Sequence, residues 1–115
     1  MGVTNSSAAK GARAELAVVK WLRDFRGFRA ERVRSGRSTD AGDVVWPDSP
    51  WHIDVKDQKA WRVREWMTEA ERECVVQWSE EWPDRALQPL LILKVPGETD
   101  PGKWWAVVRM EDLEL

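Results

Sequence analysis

The residues of this chain best suited to chemistry are two acids and a lysine close together in sequence: Asp43, Asp54 and Lys56. Trp51 to Asp57 alternates as a strand, with Trp51, Ile53 and Val55 on one face and His52, Asp54 and Lys56 on the other. Gly42 to Trp46 reads as a short strand before it, joined by the turn PDSP, so a hairpin brings Asp43 near Asp54. Two carboxylates ~4 Å apart repel by about 4 kcal/mol at an effective dielectric of ~20. A cation must therefore sit beside them. Lys56 supplies one charge, and a hard divalent cation held through oxygen would supply two. The single cysteine, Cys74, and the single histidine, His52, exclude a disulfide framework, a thiolate zinc cluster and a histidine-rich metal site. Cys74 falls on an apolar helix face, as a core residue does, so no side chain stands out as a covalent nucleophile.

A further carboxylate comes from the first helix. Residues 7–25 read as helical, with Asn5, Ser6 or Ser7 as cap, Gly27 following, and Ala8, Ala12, Leu16, Val19 and Leu22 at helical spacing. At about 100° per residue, Glu15 lies midway across the arc of Ala8, Ala12, Val19 and Leu22, which turns it toward the sheet. Burying an unpaired charge is expensive. Glu15 is therefore either one half of an internal salt bridge or part of an acidic site where helix meets sheet.

The elements that must hold these residues follow in order. Phe28 to Arg34 alternates as a strand, SGRSTDAG is a loop, and the hairpin comes next. Trp61 to about Trp82 is helical, with Val63, Trp66, Met67, Ala70, Cys74 and Trp78 on one face and Pro83 at its end. Leu90 to Val95 is a continuous apolar run, as in a buried strand, PGETDPG is a turn region, and Trp104 to Val108 is the last strand. The order is α-β-β-β-α-β-β, an α/β (α+β) domain with a mixed central sheet flanked by helices. No repeat, linker or low-complexity tract divides the 115 residues, so residues 1–115 are expected to form a single domain.

Composition narrows the partners. The chain is 43% hydrophobic and 33% charged, which reads as globular, and no apolar run approaches the ~20 residues that span a bilayer. Its first twenty residues lack the apolar core of a secretory signal. The net charge is -2, but residues 1–38 carry nine basic side chains against Glu15, Asp24 and Glu31. Residues 65–84 reverse this, with seven carboxylates against Arg72. Such asymmetry suits an anionic partner for the N-terminal part. The nine tryptophans, with no tyrosine, belong largely to the core.

At these residues the chain resembles the PD-(D/E)xK nuclease superfamily, and within it the archaeal-type Holliday junction resolvases and related phage nucleases. The resemblance rests on Gly11-Ala-Arg-Ala-Glu15, on Gly27-Phe28 leading through Arg32 and Arg34 to Ser35-Gly36, on Gly42-Asp43-Val44-Val45, and on Ile53-Asp54-Val55-Lys56. It spans residues 8–82 by motif and the remainder by order of elements. It departs from the pattern at Gly42, where the motif name has proline, and at Asp54, where glutamate is commoner.

The resemblance implies a restriction-endonuclease-like core and a catalytic set of Glu15, Asp43, Asp54 and Lys56. A magnesium ion, with manganese as substitute, would be held by Glu15, Asp43 and Asp54; the Val55 carbonyl, which lies between two site residues, is a further candidate ligand. Magnesium prefers one or two carboxylates and retained waters, and it polarises a phosphodiester. Ser35 or Ser38 would be the loop serine of the resolvase site. Arg13, Arg32, Arg34 and Arg37 are candidate phosphate contacts. Gln58 and Lys59 follow the motif directly, and Trp61 is placed to stack on a base or wedge a junction. The implied protein is a magnesium-dependent DNA endonuclease, first a Holliday junction resolvase acting as a homodimer on branched DNA, in the cytoplasm of a bacterium or phage-infected host. The alternatives are a nickase or restriction- or repair-type nuclease of the same fold, or a catalytically silent DNA-binding module.

Overall fold

The computed structural model describes residues 6–32, 44–46, 49–80 and 87–113. Helix α1, Ser6–Arg26, ends where Gly27 takes a left-handed φ of 68°, and the Gly27 amide donates back to the Arg23 carbonyl at 3.2 Å. That is the turn a helix-ending glycine makes without side-chain strain. Among the described residues, five strands and a second helix follow: β1 Glu31–Arg32, β2 Val44–Val45, β3 Trp51–Lys56, α2 Val63–Glu80, β4 Gln88–Leu93 and β5 Trp105–Val107. Two short 3-10 turns, Pro101–Lys103 and Met110–Asp112, flank β5.

The strands form one mixed sheet in the order β1-β2-β3-β4-β5, antiparallel at every step except between β3 and β4. Parallel neighbours need a long crossover, usually helical, and α2 is that crossover. It leaves β3 in the middle of the sheet with β4 beside it over its full length, from Trp51↔Gln88 to Lys56↔Leu93. Among the described residues β2 pairs with β3 at Val44↔Ile53 and Val45↔His52.

Both faces of the sheet are covered. Ala14, Val18 and Val19 of α1 share a core with Val44, Ile53 and Val55 of the sheet, with Leu90 and Ile92 packed against them. Trp66 and Ala70 of α2 share a second core with Leu91 and Leu93 of β4. Ile53, Leu91 and Leu93 are among the most completely buried side chains, each contributing about 1.5–3 kcal/mol. Because both faces of β3 are covered, its polar alternation buries His52 and Asp54 beneath α2, and Lys56, at the strand end, keeps part of its side chain in solvent.

Two expectations change. Leu16, expected in the apolar arc of α1, is 53% exposed, because the buried arc is rotated toward Ala14 and Val18. The strand expected over residues 28–34 is confined, among the described residues, to Glu31–Arg32. Phe28 instead stacks on Trp46 with ring centres 4.0 Å apart, and the Ala30 carbonyl accepts the Arg23 Nε–H at 2.8 Å. Beyond β5, Arg109 ties the chain end to α2, reaching Asp112 at 2.9 Å and Glu71 at 3.1 Å. The Asp112 hydrogen bond, with these neighbouring acids, holds the Arg109 pKa above its ordinary value. Among the described residues no helix is long and apolar enough to cross a membrane.

Candidate functional site

The candidate site is built on the carboxyl end of β3. Asp54 is 3% exposed, and its Oδ1 lies 3.7 Å from the Lys56 Nζ. Two residues apart on a strand, both side chains emerge on the α2 face. At that separation the contact is a charge pair, not a tight hydrogen bond. Lys56 also lies 5.7 Å from the centre of the buried Trp66 ring, within the range of a cation–π interaction. The ammonium is thus gripped between a carboxylate and an indole, while part of its side chain keeps contact with solvent.

One pleat back, His52 is fully buried, with Nε2 3.9 Å from a Glu73 carboxylate oxygen on α2. It lies inside the fold beside Asp54's face and does not line an open cleft. The neighbouring Cys74 is buried, and desolvation, the largest cause, pushes its thiol up to about 12. Such a thiol is not a nucleophile at neutral pH.

Glu15 makes the salt bridge that the helix geometry left open. Its Oε1 accepts the Arg32 Nε–H at 2.5 Å, joining α1 to the end of β1. The pair is largely shielded, so the bond is a charge-assisted one of the stronger kind. It occupies one of the five guanidinium donors of Arg32.

Three residues that the sequence reading passed over belong to this end of the sheet. Asp57, the first residue after β3, lies 3.7 Å from Lys10 of α1 and 3.4 Å from Lys94, the first residue after β4. Lys94 in turn lies 5.7 Å from the centre of the Trp104 ring. The signal was in the run Asp54-Val55-Lys56-Asp57: strand alternation sends Asp57 to the opposite face from Lys56.

Of the other candidates, Val55 is buried in the core beneath α1, and Arg13, Gln58 and Lys59 are exposed. Trp61 is half-buried and meets Trp105 edge-on, with ring centres 5.0 Å apart, and among the described residues its buried indole Nε1 has no hydrogen-bond partner. Trp105 is the more exposed ring of the two. Asp43, Arg34, Ser35, Arg37 and Ser38 lie outside the described residues. Among the described residues no group of three or more His, Cys, Asp or Glu side chains is placed to hold a metal ion.

Comparison of the chain with models of known families, with curated proteins and with solved structures finds no match.

Proposed function

We propose that this chain is a metal-dependent DNA endonuclease of the PD-(D/E)xK type, acting on branched DNA as a Holliday junction resolvase does. The observation that carries the reading is the Asp54–Lys56 pair, a buried carboxylate and a gripped ammonium two residues apart at the end of the central strand. The order α-β-β-β-α-β-β, with α2 as the crossover from β3 to β4, supports the restriction-endonuclease-like core that this reading needs. The reading also requires the β2–β3 register to run one residue past Val44↔Ile53, which would oppose Asp43 to Asp54.

Asp54 offers the hard oxygen donor that magnesium or manganese takes. Asp43 and the Val55 carbonyl would complete the set; Glu15, on α1 across the sheet from the Asp54 side chain and held by Arg32, would join it only through water. The chemistry a divalent ion would supply there is polarisation of the phosphate and stabilisation of the charge that develops on its oxygens. Lys56 holds the attacking water against the phosphorus and favours its deprotonation through its own charge. Arg32, fixed by Glu15, steadies a neighbouring phosphate with its remaining donors. Two such sites related by a two-fold axis suit the paired cuts that a symmetric junction needs.

A second reading, a DNA-binding module without catalysis, draws support from one observation: Glu15 is engaged by Arg32. The test is to incubate the protein with magnesium and four-way junction, flap, linear duplex and single-stranded DNA side by side. Cleavage of the junction that stops in a chelator is the expected result. Binding to the junction with no cleavage of any substrate would favour the module, and neither binding nor cleavage would end both readings.

A further inference from the structure

From the lysines that flank Asp57, and resting on the nuclease reading above, we infer that Lys10 and Lys94 form a phosphate-contact site for the DNA strand that passes over the carboxyl end of β3 and β4. Asp57 carries one negative charge against two ammonium groups, at 3.7 Å from Lys10 and 3.4 Å from Lys94. Each ammonium has three donors, and both distances exceed the 2.7–2.9 Å or so of a well-formed charge-assisted bond. Among the described residues the cluster is therefore one positive charge in excess, with donors left over. A phosphodiester, with one negative charge and two non-bridging oxygens, matches that excess in charge and in acceptors.

The placement agrees with the charge. In sheets with parallel strands, ligands gather beyond the carboxyl ends of those strands. β3 and β4 are the parallel pair here, and Lys56 and Lys94 stand at their two carboxyl ends, joined by the Lys94 N–H to Lys56 carbonyl bond of 3.0 Å. Lys56 lies with Trp66 on the α2 face, and Lys94 lies with Trp104 on the α1 face. A strand crossing this end meets Lys56 at the reacting phosphate and the Lys10–Lys94 pair at a neighbouring one. Asp57 bridges the two ammonium groups, Oδ1 to Lys10 and Oδ2 to Lys94, and so holds both at this end of the sheet. The contact is to the backbone and carries no sequence preference.

The experiment is the salt dependence of binding to a random-sequence linear duplex, without divalent ions, followed by fluorescence anisotropy. Lys10→Gln and Lys94→Gln should each flatten the log–log slope by about 0.9, and the double variant by about twice that. Lys20→Gln, whose ammonium already pairs with Asp24 at 2.8 Å, should leave the slope unchanged. Asp57→Asn should tighten binding, because it removes a negative charge beside the phosphate. A double variant that melts lower but keeps the parent slope would show a structural tie only and overturn the site. Should the double variant fail to fold, Lys10→Gln decides alone, since that side chain is 42% exposed. A parent that binds DNA with a slope indifferent to these lysines removes this site and leaves the nuclease reading standing. A parent that binds neither duplex nor junction at any salt removes both.

Discussion

The Lys56 ammonium stands between two unlike partners, 3.7 Å from an Asp54 oxygen and 5.7 Å from the centre of the Trp66 ring. The two members of the ion pair are not equivalent. Asp54 is buried, whereas Lys56 keeps a path to solvent along its flexible stem.

Removing either charge therefore has different consequences. Lys56→Met leaves a buried carboxylate without its ammonium and should cost about 3 kcal/mol, in the range for breaking a buried pair. Asp54→Asn leaves an ammonium that can turn to water and should cost about 1 kcal/mol or less. Urea unfolding of both variants measures this asymmetry. Equal losses would show that Asp54 does not depend on Lys56 for its burial.

The Glu15–Arg32 bond should behave as a coupled pair. Glu15→Gln and Arg32→Gln should each lower stability by about 1 kcal/mol, and the double variant by less than their sum. If Glu15 also serves the site, Glu15→Gln loses cleavage far beyond its loss of folded protein. Cleavage that falls only in step with the folded fraction would assign Glu15 to structure alone.

Much of this arrangement was legible in the sequence. The helical period of α1 and α2, the hairpin strand carrying Asp54 and Lys56, and the apolar run of β4 all follow from local patterning. Glu15 was legible as an inward carboxylate, but its partner was not. Arg32 lies 17 residues away and meets it only because β1 returns alongside α1. Asp57 was passed over for a similar reason. Its partners come from the start of α1 and the end of β4, and only the parallel β3–β4 pairing brings Lys94 beside it. Leu16 shows the limit of a helical wheel built on residue type. Alanine and valine at positions 14 and 18 take the core, and the larger leucine is left outside.

Cys74 gives a test by pH. Its thiol is raised from 9.0 to about 12, first by burial and then by Glu73, Asp112 and Glu71, against the opposing charge of Arg109. A raised pKa means that the folded state holds the proton more tightly than the unfolded one. The contribution to stability is thus complete below pH 9 and is lost as pH rises from 9 toward about 12. The difference between the stability curves of the parent and Cys74→Ala should narrow over that interval. In the native protein at pH 8 the thiol should resist alkylation until the chain is unfolded. Rapid alkylation of the native protein would contradict the burial of Cys74.

The central claim is that Asp54 serves phosphodiester cleavage, and the rate of magnesium-dependent junction cleavage by Asp54→Asn tests it most directly. The comparison is with the parent and with Asp24→Asn, which makes the same change in an exposed partner of Lys20. All three proteins should first be shown to be folded. Loss of a group that stabilises transition-state charge costs on the order of 100- to 1,000-fold, so Asp54→Asn should fall by at least that much while Asp24→Asn keeps the parent rate. An Asp54→Asn protein that cuts as fast as the parent would contradict the account.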